Sequence, residues 1–178
     1  MKTLLTLVGL CAVGAAQEPP PIPRPAKEHE WLKALEGEWA TDGECVTEPG
    51  KPQMKMKGTA SGKSLGGFWT VLENRGETFG SPFIGILTLG FDPAKKKYAG
   101  TWVDSMGSHQ WRYEGAVDAS GRMLTLDTEG PCPKTGKTEK FQEKIEVKGK
   151  DSWIFTSSMN EGGKWTQFMR IVYSRKTS

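Results

Sequence analysis

The sequence predicts an all-β protein, an antiparallel up-and-down β-barrel of about ten strands preceded by one short N-terminal helix. Three observations carry this. Short runs of alternating apolar and polar residues follow one another from Glu38 onward. Turn signals separate them at fairly even spacing: Glu48-Pro49-Gly50, Ser61-Gly62-Lys63, Asp92-Pro93, Met106-Gly107-Ser108, Ser120-Gly121, Lys148-Gly149-Lys150 and Glu161-Gly162-Gly163. Glycines stand inside strand runs at Gly85, Gly90 and Gly100 beside bulky apolar neighbours, as bends in a strongly curved sheet require. Hairpin-length turns favour sequential pairing, and closing the sheet removes exposed edges.

Three segments are expected along the 178 residues. Residues 1–16 carry a basic start at Lys2, an apolar run from Leu4 to Val13 and the small residues Gly14-Ala15-Ala16, the pattern of a secretory signal peptide cut after Ala16. The apolar run is too short to span a bilayer, and Leu10 before Cys11 does not suit a lipidation site. Residues 17–26 form a proline-rich tether, with Pro19, Pro20, Pro21, Pro23 and Pro25 favouring extended polyproline II. Residues 27–178 form the single barrel domain. An exported protein is therefore expected, periplasmic or extracellular, with no membrane insertion.

Within the domain, Trp31, Leu32 and Leu35 recur at helical spacing and Gly37 provides a stop, so the helix covers Ala26 to Glu36. His29 lies on it beside acidic neighbours and is expected to be solvated. Then come the strand signals. Met54 to Lys57 alternates strictly. Thr70 and Leu72 share one face, with Trp69 and Val71 on the other. Phe83 to Phe91 is nearly continuously apolar. Tyr98 to Val103, Trp111 to Glu114, and Leu124 with Leu126 follow. Phe141, Ile145 and Val147 share a parity, as do Trp165, Met169, Ile171 and Tyr173.

Composition excludes several function classes. Lys and Arg total 24 against 21 Asp and Glu, and the net charge of +3 falls by one when Lys2 leaves with the leader. So even a balance does not suit a nucleic-acid partner. Gly58 to Ser64 and Gly130 to Thr138 resemble phosphate loops, but three and five residues separate their glycines where the loop requires four. There is no Gly-x-Ser-x-Gly elbow. Two histidines and no Cys-x-x-Cys pair point to no metal site and no cofactor. Beyond the leader, Cys45 and Cys132 either form one disulfide or remain separate thiols.

The stretch Trp31-Leu32-x-x-Leu35-x-Gly37-x-Trp39 resembles the start of calycin-type barrels, the lipocalin and fatty-acid-binding group. The resemblance implies that Trp39 closes one end of the barrel under a cation from the last strand, Arg170 or Arg175, in a cation–π contact. Phe91-Asp92 through Lys95-Lys96-Lys97-Tyr98, followed by Gly100-Thr101-Trp102-Val103-Asp104-Ser105-Met106-Gly107, resembles the bacterial family called domain of unknown function 1579. Gly115, Leu124, Gly130 and Pro133-x-Thr135-Gly136-Lys137 fit the same pattern. That likeness runs from Glu28 to Arg175 and implies a fold without an assigned chemistry. The opening also resembles haem-binding barrels of the nitrobindin type. Their iron ligand is a late-strand His, and this sequence has no His after His109.

The candidate site comes from polar residues mixed into apolar strand faces. Trp102 and Asp104 share a parity with Tyr98, and His109 and Trp111 share one with Tyr113. Glu143 falls between Phe141 and Ile145, and Gln167 between Trp165 and Met169. Aromatic walls with a few polar groups are what small-molecule pockets look like. The leading expectation is a barrel that binds a small, largely apolar molecule through Trp102, Asp104, His109, Trp111, Tyr113, Glu143 and Gln167. A filled barrel acting as an envelope interaction or structural module is the alternative. A lone buried carboxylate at Glu143 would demand a partner such as Arg112 or Arg170, or a β-bulge turning it outward. Acid–base catalysis by Asp104 with His109, or by Glu143, is the less favoured reading. No catalytic residue is assigned, and the oligomeric state is left open.

Overall fold

The computed structural model describes residues 22–46, 52–132 and 135–177. The leader, the first half of the proline-rich tether and the Glu48-Pro49-Gly50 turn lie outside the described residues.

Ten strands form one closed antiparallel barrel in sequential order: β1 (Gly37–Cys45), β2 (Met54–Leu65), β3 (Trp69–Thr78), β4 (Ser81–Asp92), β5 (Lys97–Asp104), β6 (Trp111–Val117), β7 (Met123–Pro131), β8 (Thr138–Gly149), β9 (Ser152–Glu161) and β10 (Lys164–Arg175). β10 returns to pair with β1, with Arg175 opposite Trp39 and Tyr173 opposite Thr41. The up-and-down barrel expected from turn spacing is the observed one. Gly58 to Ser64 lies inside β2, where a phosphate loop has no helix to lead into.

The expected helix is shorter and tighter than its apolar spacing suggested. It is a 3-10 helix over Lys27–Leu35. Leu32 and Leu35 plug one end of the barrel, and polar groups fix the seat. Tyr98 Oη donates to Glu28 O at 2.7 Å, and Thr70 Oγ1 donates to Leu32 O at 3.3 Å. His29 is buried, against the expectation of a solvated position. Docking drives its ring between Phe68 and Phe91, at 5.5 and 5.7 Å, and Nδ1 accepts the Ala26 N–H at 2.9 Å.

Trp39 stands on the floor of the closed end and is fully buried. Nε1 donates to Leu35 O at 3.0 Å, and the ring meets Trp153 edge-on at 5.9 Å. Trp153 stacks on Tyr173 at 3.4 Å, and Tyr173 Oη donates to Asn74 Oδ1 at 2.8 Å, tying β10 to β3. The cation over Trp39 is Arg175, with Cζ 4.2 Å from the ring centroid. Arg170 does not cover Trp39. It is an odd number of residues from the inward Tyr173, so it takes the opposite face, opposite Glu44 and Thr156. Arg175 also donates to Glu36 O and Lys150 O, joining the helix end to the β8–β9 turn. Gly37 explains the first half of Gly-x-Trp. Its φ of +111° suits glycine, and a Cβ there would meet Arg175 Nη1 at 2.3 Å.

Candidate functional site in the barrel half away from the helix

Antiparallel partners point to the same side of a sheet, so register assigns the inner face. From the buried Leu126 opposite Glu143 and Leu87 opposite Trp102, the inward residues above the floor follow. They include Phe83 and Gly85 on β4, Trp102 and Asp104 on β5, Trp111 and Tyr113 on β6, Phe141 and Glu143 on β8, and Ser157 on β9.

Trp102 and Asp104 form one unit. Trp102 Nε1 donates to Asp104 Oδ2 at 2.7 Å, while Asp104 Oδ1 accepts the Met106 N–H at 2.9 Å and so shapes the following turn. The Trp102 ring stacks on Phe83 at 6.2 Å and lies across Gly85, where an added Cβ would stand 2.3 Å from ring carbons. Gly85→Ala is therefore expected to displace Trp102, costing about 1–3 kcal/mol. Urea unfolding and the indole emission maximum check this, and an unchanged emission with unchanged stability would contradict it.

Asp104 and His109 are not brought together. Both Asp104 oxygens are engaged as above, and the exposed His109 packs edge-on against Trp111 at 4.8 Å. The indole and the Met106 amide take the Asp104 carboxylate instead, and the less favoured acid–base pair across this turn is not assembled.

Glu143 is the centre of the site. It is buried at 6 % exposure and faces inward. Oε1 accepts from Ser157 Oγ at 3.0 Å, and Oε2 is buried with no hydrogen-bond partner. Burial pushes its pKa up to about 8, opposed by the Ser157 hydrogen bond. Neither expected partner reaches it, since Arg112 and Arg170 take the outer face, and no bulge turns it outward. The cost of a buried charge is met by keeping the proton. Tyr113 feels the same surroundings. Burial first, then the carboxyls of Glu143 and Asp104, raise its phenol well above the ordinary value.

Gln167 is a correction. β10 carries a bulge between Gln167 and Met169, so Met169 pairs with Ser157 inside while Gln167 pairs with Ser158 outside and is exposed. Strict parity failed there because one extra residue was inserted, and Phe168 turns toward Phe141 at 6.1 Å. Sequence reasoning passed over Ser157, which shares the parity of Trp153 and Phe155, and Asn74, which shares that of Thr70 and Leu72. Asn74 Nδ2 and Thr128 Oγ1 join Glu143 Oε2 as buried polar atoms without a hydrogen-bond partner.

Among the described residues, no three His, Cys, Asp or Glu side chains gather where a metal ion would sit. Cys45 is a buried free thiol, and burial raises its pKa. No helix among the described residues is long and apolar enough to cross a membrane.

No curated protein matches the chain. Solved structures do. Rv2717c from M. tuberculosis shares 15 % identity over 86 % of this chain and 100 % of its own, with a TM-score of 0.60. The S-type phycobiliprotein lyase CPES from Guillardia theta shares 11 % identity over 84 % of this chain and 92 % of its own, with a TM-score of 0.57. At such identities the likeness is one of fold, a calycin-like barrel. The family described as protein of unknown function (DUF1579) matches residues 24–175, spanning the helix and every strand, and the chain belongs to it.

Proposed function

We propose that the half of the barrel away from the helix binds a small, flat, largely apolar molecule carrying a hydrogen-bond acceptor such as a carbonyl oxygen. The observation that carries this is Glu143 Oε2, buried on the inner face and unpartnered. A protonated carboxyl donates one hydrogen bond, and in an apolar wall that bond is worth more than in water. Trp102, Trp111, Tyr113 and Phe141 supply the apolar contact, and Asn74 Nδ2 offers a second donor. Aromatic walls with few convergent polar groups suit such a ligand. The floor of Trp39, Trp153 and Tyr173 is packed, which confines binding to the other half.

Nile red, a neutral flat dye with a ring carbonyl, tests the reading. The protein is expected to bind it saturably, with affinity falling as pH rises through about 8, where Glu143 loses its proton. Glu143→Gln keeps a donor, so binding persists and loses its pH dependence. Glu143→Leu removes the donor and weakens binding about tenfold or more. Wild-type affinity in Glu143→Leu would overturn the assignment.

The leader pattern of residues 1–16 supports placing this binding outside the cytoplasm. The exported protein is then expected to begin at Gln17, which N-terminal sequencing reads directly.

A further inference from the structure

The barrel wall is not equally sealed all the way round. β6 and β7 pair from Glu114 opposite Asp127 to Val117 opposite Leu124. Toward the end away from the helix, Trp111, Arg112 and Tyr113 keep their ladder to β5, and Thr128 to Pro131 keep theirs to β8, yet these two lips do not pair with each other. Neighbouring strands of a closed sheet are ordinarily laddered along their length, so this unpaired stretch is the weakest seam of that strand pair. Continuing the register would set Tyr113 against Thr128, Arg112 against Glu129 and Trp111 against Gly130.

An open surface cavity of about 850 Å³ borders this gap, lined by Arg112, Asp127, Thr128, Glu129, Lys140, Phe141 and Trp165. Phe141 and Thr128 have the parity of the inner face, so this outer cavity reaches down to residues of the barrel interior. Its inner side is shut by rings. Atoms of Trp111 and His109 lie 2.6 and 2.7 Å from where a Cβ on residue 130 would stand, and Trp111 meets Phe141 edge-on at 5.0 Å. Only a glycine at 130 lets those rings settle there. At the rim, Arg112 and Lys140 are matched by Asp127 and Glu129, so the charges balance and select neither an anion nor a cation. An aromatic throat behind a charge-balanced rim suits a neutral, flat, apolar molecule.

We propose that the β6–β7 slot is the side entrance by which a neutral, flat, largely apolar ligand reaches the Glu143 carboxyl, with the Trp111 ring as the door and Gly130 as its seat. This rests on Glu143 as the binding group, and it adds a route and a moving part.

Arg112→Cys combined with Glu129→Cys, oxidised and with the bond between them verified by peptide mapping, ties the lips together. Nile red association and dissociation, followed by stopped-flow fluorescence, are both expected to slow roughly tenfold or more and to recover on reduction. Gly130→Ala pushes Trp111 off its seat and is expected to speed both. Wild-type rates in the bonded protein overturn the entrance and leave Glu143 as the binding group, whereas absence of Nile red binding to the wild type overturns both. Amide exchange on the unmodified protein decides independently of the dye. Amides of residues 111–113 and 128–131 are expected to exchange faster than those of 114–117 and 124–127. Equal protection would mean that no slot opens.

Discussion

Glu143→Gln is expected to make the protein more stable than the wild type at pH 8 and to leave the two nearly equal near pH 4. The carboxyl titrates at about 8 in the folded barrel, against about 4.3 for glutamate in an unfolded chain. Between those values the folded protein holds a proton that the unfolded chain has released. Stability from this group is therefore complete below the lower value. It declines by about 1.4 kcal/mol per pH unit as pH rises, and levels off once the folded carboxyl ionises near the upper value. Glutamine carries no titrating proton and still accepts the Ser157 hydroxyl through its carbonyl oxygen. Urea unfolding of both proteins across pH 4 to 9 isolates the contribution, because every other titrating group is common to the two. Parallel stability curves would show that Glu143 is solvated and ordinary.

Trp39→Ala is the second large effect. The side chain is fully buried and is held at once by Trp153, by the Leu35 carbonyl and by Arg175 above it. Truncation leaves a cavity between the helix and the barrel floor and strands the Arg175 guanidinium over it. The cost is expected to be about 4 kcal/mol, or roughly 12 °C in Tm for a domain of this size. Trp39→Phe keeps most of the packing and loses the hydrogen bond to Leu35, so it should cost roughly 1 kcal/mol for that bond beyond the volume lost. Calorimetry of the two variants separates packing from hydrogen bonding. Equal losses would show that the Leu35 bond, and not the ring, holds the closed end.

The fold was legible because a barrel this size writes itself as alternation and punctuation. Strand existence, sequence of pairing and closure all follow from local patterns that the sequence repeats from Glu38 to Arg175. The shared parity of Trp102 with Asp104, of Trp111 with Tyr113 and of Glu143 with Phe141 was readable, since strand parity holds wherever no residue is inserted, but which face is the inner one needed the register and the burial. Parity failed at Gln167, where the β10 bulge reverses the faces. The bulge is a property of the β9–β10 register, which alternation along β10 alone does not encode. Choosing Arg175 over Arg170 needed the β1–β10 register, a pairing between the two ends of the chain. The burial of His29 likewise depended on a docking partner more than thirty residues away. The β6–β7 slot had no sequence signal, because both lips read as ordinary strands and only their mutual register leaves them apart.

The central claim is that Glu143 stands in the barrel interior as a neutral carboxylic acid with a hydrogen bond to give. Carbon-13 NMR titration of the Glu143 side-chain carboxyl reads it directly, with Glu143→Gln identifying the resonance. A midpoint near 8, moving higher when Nile red is bound, is the predicted result. A midpoint near the ordinary glutamate value of about 4.3, unmoved by the dye, would contradict it.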